Sequence, residues 1–463
     1  MNDETLQKIW SERYKIVPEQ MIKTSEIELV ASGFNTNIDA VVKIKGSKLS
    51  ELAEKFDITP QTIKNCSSAI DSPNAAICGI IKCFIGGIAE EWLTSDISID
   101  RWIENTFGTD KLQMGGQAGI IANVLALTYI KNIFVNTASH PKMLSEQFIK
   151  KENLKAIDET NKLAPAYKIN RKNDMPPIHR IIEFDKGDTL TLGDKTYTCP
   201  KSNRFIATYD PLNAEMLINN TFKQYLLDND FDYFIFAGYN LLSGEKGLKA
   251  AEKSAEFLQN LRKKNTVLHL EVASTQDKNI RRYMLENIAP LCDSLGLNER
   301  ETLEAAEVLL PDEWKKLKDK SLNVINLIET LLKIKEKTKV KRLQLHIFGL
   351  YLCLQDKDYK FSPPQSLSGM LCASVAAASK AQFGYLNSLK DLTLSLSNKN
   401  MKIYFEELQN LAQYLHKPEL LETGFSEYQG YDLITVPTIL VDNPKTLVGM
   451  GDTISSLSLI CAR

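Results

Sequence analysis

Several features that mark other classes of protein are missing from this sequence of 463 residues. It has no uninterrupted apolar run long enough to cross a membrane and no block of basic residues, and its net charge is −2. A membrane-spanning chain is therefore not expected, and neither nucleic acid nor an acidic membrane surface is expected as a partner. The N-terminal stretch is charged and helix-like, unlike a signal peptide. We therefore expect a cytoplasmic protein.

Patterns for zinc, disulfides and P-loops are also missing. The sequence has five histidines and eight scattered cysteines without a CxxC pair, so a zinc site is not expected. The cysteines are predicted to be reduced and mostly buried. No GxxxxGK[ST] motif is present, which excludes a phosphate site of the P-loop type. The composition, 43% apolar and 25% charged, is that of an ordinary globular protein with roughly two to three domains.

The order of apolar runs and helical patterns predicts an α/β fold. Strands are predicted where the runs are rich in β-branched and aromatic residues, at 27–34, 132–138, 231–238, 266–271, 293–298, 341–349 and 433–441. Helical patterns lie between them, including 47–55, 60–69 and 74–92. This alternation favours a mostly parallel sheet. Residues 165–210 instead contain short runs divided by turns, which predicts an antiparallel meander that, with a strand at 40–44, covers a cleft.

The stretch 433–456 predicts a strand, a turn, a Gly-rich loop and a helix. Gly449 and Gly451 let the backbone approach a ligand closely, and the first N–H groups of the helix that Asp452 opens have no partner within it. Such a helix end can bind an anion. Asp452 could then accept a proton from a hydroxyl that attacks a bound phosphoryl group. The alternative is that Asp452 only caps the helix.

Polar side chains follow other predicted strands at their carboxyl ends, where open α/β sheets bind ligands. Asn37 and Asp39 can bind sugar hydroxyls, unless they only form an Asx turn. Glu271 and Glu301, with Asn298, suit a Mg²⁺ held largely through water. Alternatively, Glu301 is a helix-dipole residue and Glu271 is half of a buried ion pair.

The motifs occur in an order that resembles a known family. The segments are Asn35–Asp39, Met114–Gly119, an HxE at 269–271, an NxxE at 298–301, and Asn443-Pro444 followed by a GxGD at 449–452. Together they resemble the ADP-dependent sugar kinases, the archaeal glucokinases and phosphofructokinases of the ribokinase superfamily. The resemblance spans about residues 27–456. GxGD alone would fit any ribokinase-like kinase, whereas its combination with HxE, NxxE and long helical inserts is typical of the ADP-dependent branch.

The resemblance implies a ribokinase-like three-layer α/β/α domain with a mostly parallel central sheet and a small β-rich lid. On this basis residues 1–36, 50–164 and 211–463 are assigned to the large domain, which holds the nucleotide. Residues 37–49 and 165–210 are assigned to the lid over the sugar site. A monomer or small homo-oligomer is expected.

The resemblance also implies a reaction and a set of residues. ADP would donate its β-phosphoryl group to fructose 6-phosphate, to glucose or to both, and leave as AMP. Asp452 would be the base, and the amides of Gly449, Met450, Gly451 and Asp452 would form the anion hole. Mg²⁺ or another divalent cation is assigned to Glu271, Glu301 and Asp452. Nucleotide contacts are assigned to Asn298, His346, Val436, Pro437 and Gly451.

Sugar contacts follow from the same resemblance and are assigned to Asn37, Asp39, Glu90, Gly116, Gln117 and His179. Lys172 and Arg204 are assigned to the 6-phosphate of a sugar phosphate, because both kinds of cation hold phosphate. The register leaves Glu91 open in place of Glu90, and Arg171 in place of Lys172. Two other functions stay open: an ATP-dependent ribokinase-like sugar kinase, and a non-catalytic sugar or nucleotide sensor.

Overall fold

The computed structural model describes residues 1–66, 68–94, 96–398 and 401–463. The strands in these ranges are β1 Leu29–Gly33, β2 Asn37–Lys43, β3 Glu90–Leu93, β4 Lys111–Gly115, β5 Asn132–Val135, β6 Leu154–Ile157, β7 Leu163–Pro165, β8 Ile178–Phe184, β9 Thr189–Leu192, β10 Lys195–Thr198, β11 Asn203–Thr208, β12 Tyr233–Phe236, β13 Val267–Glu271, β14 Ser294–Asn298, β15 Arg342–Ile347, β16 Leu350–Gln355, β17 Phe425–Tyr428 and β18 Tyr431–Pro437.

The α-helices are α1 Asp3–Tyr14, α2 Val17–Ile22, α3 Gly46–Lys55, α4 Pro60–Lys64, α5 Pro73–Gly86, α6 Ile97–Phe107, α7 Gln117–Leu125, α8 Lys142–Ser145, α9 Pro211–Ala214, α10 Asn220–Asp228, α11 Gly244–Leu261, α12 Lys278–Tyr283, α13 Glu299–Leu309, α14 Pro311–Leu317, α15 Val324–Thr338, α16 Pro363–Phe383, α17 Leu389–Leu392, α18 Glu406–Tyr414, α19 Leu420–Thr423 and α20 Met450–Ile460. A π-helical turn at Met284–Ile288 extends α12. Within the described ranges, no helix is both long and apolar enough to cross a membrane.

The larger sheet has eleven strands among the described residues, in the order β17-β18-β16-β15-β14-β13-β12-β1-β5-β6-β7. The strands from β15 to β6 in this order are parallel to one another, and those beyond them are antiparallel. Strands β12 and β13 are buried along their whole length, because helices cover both faces of a parallel sheet. This explains the continuous apolar runs, and it confirms the predicted α/β fold. The carboxyl ends of the parallel strands meet at one edge.

The second sheet has five strands in the order β3-β11-β8-β2-β4. The predicted lid segments supply β2, β8 and β11, together with the separate hairpin of β9 and β10. Strand β3 pairs with β11, and β4 pairs with β2, although residues 50–164 were assigned to the large domain. The second sheet therefore takes in more of the chain than the predicted lid.

The helix predicted at 74–92 also ends early. Gly87, with φ 58°, adopts the left-handed conformation that closes α5. The chain then continues into β3, so Glu90 and Glu91 stand on a strand rather than on a helix.

Each sheet has its own apolar core. The core of the second sheet joins side chains of its strands, such as Val42 and Phe205, to those of the covering helices, such as Leu49 in α3, Ile80 in α5 and Ile103 in α6. The larger core surrounds the eleven-stranded sheet. The helices between residues 46 and 107 thus pack on the second sheet and form one half of the molecule with it. The eleven-stranded sheet and its helices form the other half, and a cleft lies between the two.

Candidate active site

A cavity of about 650 Å³ lies in this cleft and is lined from both sheets. Its volume is within the range of small-molecule sites. The larger sheet contributes side chains at the carboxyl ends of parallel strands, among them Asn35, Glu271 and Asn298, as open α/β sheets do. The second sheet contributes Asp39, His179 and others from its exposed face. A ligand in the cavity therefore contacts both halves of the molecule.

The Gly-rich loop turns into α20 at the centre of the cavity wall. Gly449, with φ 61°, is the residue before the first helical turn, and this left-handed conformation suits glycine. Its carbonyl accepts hydrogen bonds from the backbone N–H of Thr453 at 3.2 Å and from the Thr453 hydroxyl at 2.8 Å. The first N–H groups of α20 have no partner within the helix. Gly449, Met450 and Gly451 line the cavity, so this helix end faces the cavity, and its use as an anion site stays a prediction.

Asp452 lies on the cavity wall and is 7% exposed. It is the third residue of α20, and the helix has no side-chain cap because Gly449 occupies the capping position. Asp452 therefore does not occupy the capping position of α20, and its role as the base stays a prediction. Burial raises the pKa of the Asp452 carboxyl, while the charge of Lys380 and a hydrogen bond from Gln117 act in the opposite direction. Asp452 is thus a buried carboxylate at the helix end that faces the cavity.

Glu271 and Glu301 lie on the same wall. Glu271 accepts a hydrogen bond from the hydroxyl of Ser455, and its carboxylate fits only because Gly296 has no side chain, since a Cβ there would lie 2.0 Å from Oε2. Glu301 accepts from the backbone N–H of Asn298 at 2.8 Å, and its own N–H donates to Asn298 Oδ1 at 2.9 Å. Glu301 therefore caps the start of α13, as expected from the alternative in which it serves the helix terminus. It also faces the cavity.

The charges of these carboxylates suit a divalent cation held through water. Burial and then the charge of Glu301 raise the pKa of Glu271 well above its ordinary value. Burial likewise raises the pKa of Glu301, with a contribution from Asp452. A cation would relieve this repulsion. Among the described residues, however, no three His, Cys, Asp or Glu side chains form a cluster that could bind an ion directly. Binding of Mg²⁺ by these residues through its water ligands therefore stays a prediction.

The predicted sugar contacts Asn37, Asp39, Gly116, Gln117 and His179 all lie on the wall near Asp452, as does Arg204. Asn37 donates to Asp39 Oδ1 at 3.0 Å. Burial raises the pKa of Asp39 to about 6, although the nearby His179 and Arg204 lower it. His179 Nε2 is 3.1 Å from Asp210 Oδ2. Their roles toward a sugar remain predictions.

Four amide side chains in this half of the cavity have a buried oxygen without a hydrogen-bond partner in the described part of the chain. They are Asn35, Asn37, Gln117 and Asn240. Buried acceptors are normally satisfied, so these oxygens indicate a ligand that brings several hydrogen-bond donors. A sugar, with its ring of hydroxyl groups, is such a ligand.

The glutamate on the cavity wall is Glu91 and not the predicted Glu90. Glu90 turns to the helix-covered face, where its Oε2 accepts from Lys82 at 3.0 Å and from the Trp92 indole at 2.8 Å. Glu91 lines the cavity and accepts from Thr208 at 2.8 Å and from Asn240 at 3.0 Å. Neighbouring side chains on a strand point to opposite faces. The assignment of Glu90 to the sugar site is therefore wrong by one position.

Lys172 does not line the cavity either. Its loop is held on the larger sheet, since the backbone N–H of Arg171 donates to the carbonyl of His140 at 2.9 Å, and Lys172 is exposed. Lys201, in the turn before β11, lines the cavity together with Arg204. The sequence analysis missed Lys201, because a lysine in a surface turn gives no signal of its own.

The far half of the cavity is an apolar slot. His346 and Asn298 line it, but Val436 and Pro437 do not. Val436 is fully buried and Pro437 lies in β18, and the chain reaches the cavity at Thr438 and Ile439 instead. Phe348 contributes a ring that is 70% exposed and lies 5.3 Å from the ring of Tyr404, centroid to centroid. Burial lowers the pKa of His346 to about 4, so it is neutral. Binding of a flat aromatic group such as a purine against this wall stays a prediction.

Comparison with known proteins supports the same family along nearly the whole chain. The conserved region of the ADP-specific phosphofructokinase/glucokinase family matches residues 28–461. The "ADP-dependent glucose/glucosamine kinase" of Pyrococcus furiosus is 29% identical over 460 residues, which cover 97% of this chain and 98% of that protein. The "ADP-specific phosphofructokinase" of Pyrococcus horikoshii is 28% identical over 444 residues, with 92% and 96% covered.

A solved structure described as an ADP-dependent kinase complex with fructose-6-phosphate and ADPbetaS has the same fold. It aligns with a TM-score of 0.84 at 27% identity and covers 98% of this chain and 97% of that one. The large, mostly parallel sheet with a second, smaller sheet agrees with that likeness. The chain therefore belongs to the ADP-specific phosphofructokinase/glucokinase family.

Proposed function

We propose that the protein transfers the β-phosphoryl group of ADP to a hexose and releases AMP. The observation that carries this proposal is the position of Asp452. It stands beside an anion-binding helix end, between a half of the cavity with unpartnered amide oxygens and an apolar slot. The names of the Pyrococcus relatives and the complex with fructose-6-phosphate and an ADP analogue support a hexose and ADP as the two substrates.

Phosphoryl transfer depends on positioning and on neutralisation of charge rather than on covalent chemistry by the protein. In this proposal Asp452 accepts the proton of the attacking hydroxyl. The amides of Met450, Gly451 and Asp452 stabilise the charge on the transferring phosphoryl group. The half of the molecule built on the second sheet closes over the ligands and excludes water, so the acceptor is the sugar.

Glu271 and Glu301, with Asn298 beside them, would hold Mg²⁺ through its water ligands on the nucleotide side of Asp452. The cation would neutralise charge on the phosphates of the nucleotide. The Ser455 hydroxyl fixes the Glu271 carboxylate, and the capping pair fixes Glu301. Both carboxylates are therefore held in place before a ligand binds.

The cavity offers groups for two kinds of hexose. Arg204 and Lys201 bring positive charge to its wall from the second sheet, which suits the 6-phosphate of fructose 6-phosphate. Glu91 brings a carboxylate to the same half, which can accept a hydrogen bond from a glucose hydroxyl. We propose that the protein phosphorylates fructose 6-phosphate and accepts glucose as a second substrate.

The test is formation of the sugar phosphate by the purified protein with Mg²⁺, supplied with ADP or ATP and with fructose 6-phosphate or glucose in separate reactions; AMP is the nucleotide product expected from ADP, and ADP is the one expected from ATP. We expect turnover with ADP and each hexose. Turnover with ATP but not with ADP would show an ATP-dependent sugar kinase, and no turnover with either donor would support a non-catalytic sensor. Asp452→Asn should lower kcat by about 10²- to 10⁴-fold with ligand binding retained. Asp391 is the matched control, because it too is the third residue of a helix and it lies away from the cavity.

A further inference from the structure

Lys380 in the last turn of α16 lies directly behind the anion-binding loop. Its ammonium donates to the carbonyl of Gly449 at 3.0 Å and to the hydroxyl of Thr453 at 3.3 Å. The side chain is only partly exposed, and it lines a smaller cavity of about 260 Å³ rather than the main one. Lysine near a helix C-terminus often serves the helix dipole, but this ammonium points to α20 instead.

The geometry of the peptide bond connects Lys380 to the phosphoryl site. In a trans peptide the carbonyl and the N–H point in opposite directions. The Gly449 carbonyl is held on the Lys380 side, so the N–H of Met450, in the same peptide group, points the other way, toward the main cavity. A charged donor on the carbonyl also polarises the N–H beyond it. Lys380 therefore acts on an amide of the anion hole without touching the ligand.

The charge of Lys380 has no close partner. The ammonium forms no hydrogen bond with a carboxylate in the described residues, and the charge of Asp452 is what raises its pKa against the effect of burial. Loss of solvation lowers the pKa of Lys380 to about 8, so the side chain stays mostly protonated at pH 7. The charge of Asp452 offsets this loss of solvation only in part, so an anion that arrives nearby during function would stabilise the ammonium further.

We propose that Lys380 is a positioning residue for phosphoryl transfer: it fixes and polarises the Gly449–Met450 peptide from behind, and its charge is balanced by the phosphoryl group in the transition state. This inference rests on the proposed function. Substitution of Lys380 removes the charge and leaves the loop held, because the Gly449 carbonyl keeps the two hydrogen bonds from Thr453 when the ammonium is removed.

Steady-state kinetics of Lys380→Met test the proposal, since methionine retains the packing of the stem. We expect kcat to fall by about 10- to 100-fold, somewhat less than for loss of a direct oxyanion donor. The KM values for ADP and hexose should stay within about twofold, as for an interaction made mainly in the transition state. Lys380→Arg should keep more activity than Lys380→Met because it keeps the charge. Lys335 is the matched control: it is a buried lysine outside both cavities, so Lys335→Met should leave kcat of the folded protein unchanged.

Chemical rescue gives a readout that a purely structural role would not move. Lys380→Ala leaves a space beside the smaller cavity, through which ethylammonium can enter. We expect ethylammonium to raise kcat of Lys380→Ala saturably, and tetramethylammonium, which has no N–H donor, to have no such effect. If Lys380→Ala does not fold, the difference in kcat between Lys380→Met and Lys380→Arg tests whether the charge of Lys380 is what the reaction needs.

Two results would overturn the inference. One is a kcat for Lys380→Met equal to that of the wild type, and the other is a loss that Lys380→Arg and ethylammonium both fail to recover. Absence of AMP release by the wild-type protein would instead overturn the proposed function, so the two failures are distinguishable.

Discussion

Glu90 and Glu91 are neighbours on strand β3, and their carboxylates lie on opposite faces of the second sheet. Glu91 Oε1 is 3.5 Å from His179 Nδ1, and its other oxygen accepts from Asn240 of the larger half. Glu90 forms an ion pair with Lys82 on the helix-covered face. Only Glu91 can therefore contact a ligand in the cleft.

Glu91→Gln should raise the KM for glucose by about 10- to 100-fold, because the amide oxygen of glutamine accepts a hydrogen bond from a sugar hydroxyl more weakly than the charged carboxylate does. Glu90→Gln is the matched control, since it makes the same change one residue away on the other face. Steady-state kinetics with varied glucose measure both. An equal rise in KM for the two variants would contradict this assignment.

Asp39 should give the sugar step a pH dependence. Its pKa is raised to about 6 by burial, partly offset by His179 and Arg204, and only the ionised carboxylate can accept hydrogen bonds with both oxygens. As pH falls through 6, Asp39 takes up a proton, and kcat/KM for the hexose should drop by about tenfold for each further unit. The same limb should be absent from kcat/KM for ADP at saturating hexose. A decrease of equal size below pH 6 in kcat/KM for the hexose and in kcat/KM for ADP would show that the titrating group acts in another step.

Motifs identified the residues whose chemistry is carried by local spacing. Asp452 in GxGD and Glu271 in HxE line the cavity as expected. Lys380 and Asn240 could not be predicted, because they approach the site through tertiary folding: Lys380 contacts a residue 69 positions away. Glu90 failed for a different reason, since a shift of one residue on a strand reverses the face.

Elements with a strong local signal were predicted well. The apolar run at 266–271 contains β13, Val267–Glu271, and the Gly-rich loop leads into α20. The pattern at 74–92 failed at its end, because Gly87 closes α5 and the strand that follows is only four residues long. Such a short strand has too few residues for a period to be read from sequence.

The contact between β4 and β2 provides a test of the sugar site at the level of elements. Gly115 on β4 pairs with Asn37 on β2, and a Cβ at Gly115 would lie 2.0 Å from Asp39 Oδ1 and 2.4 Å from Asn37 Nδ2. Gly115→Ala should therefore displace both side chains and lower kcat/KM for the hexose by about 10²-fold.

Gly86→Ala is its control in the same half of the molecule, since the nearest atom to a Cβ there is 3.4 Å away. Thermal unfolding of both variants establishes that each is folded. Unchanged hexose kinetics in Gly115→Ala would contradict the placement of the sugar beside Asp39.

The whole molecule consists of two apolar cores with the active-site cavity between them. The sequence predicted the second sheet but not its extent, because the chain crosses between the two halves several times. A helical pattern states which face of a helix is apolar, and not which sheet that face will cover. Helices α5 and α6 and the end of α3, which lie in the segment 50–164 predicted for the large domain, therefore pack with the second sheet.

Ligands that fill the cavity should link these halves. Hydrogen exchange with AMP and fructose 6-phosphate together should show added protection in both β2 and β14, which carry cavity residues on opposite sides of the cleft. Edge strand β17 contributes no cavity residue and should be unchanged, so it is the internal control. Protection confined to one half would contradict a site shared between them.

The most direct test of the account follows the phosphorus atom itself. Wild-type protein is incubated with Mg²⁺, fructose 6-phosphate and ADP labelled in the β-phosphoryl group, and the products are separated. We predict that the label appears in the sugar bisphosphate, with one AMP formed for each label transferred, and that Asp452→Asn slows the transfer by about 10²- to 10⁴-fold. Two results would contradict the account: label found in inorganic phosphate alone, or label transferred to the sugar only when ATP labelled in its γ-phosphoryl group replaces the labelled ADP.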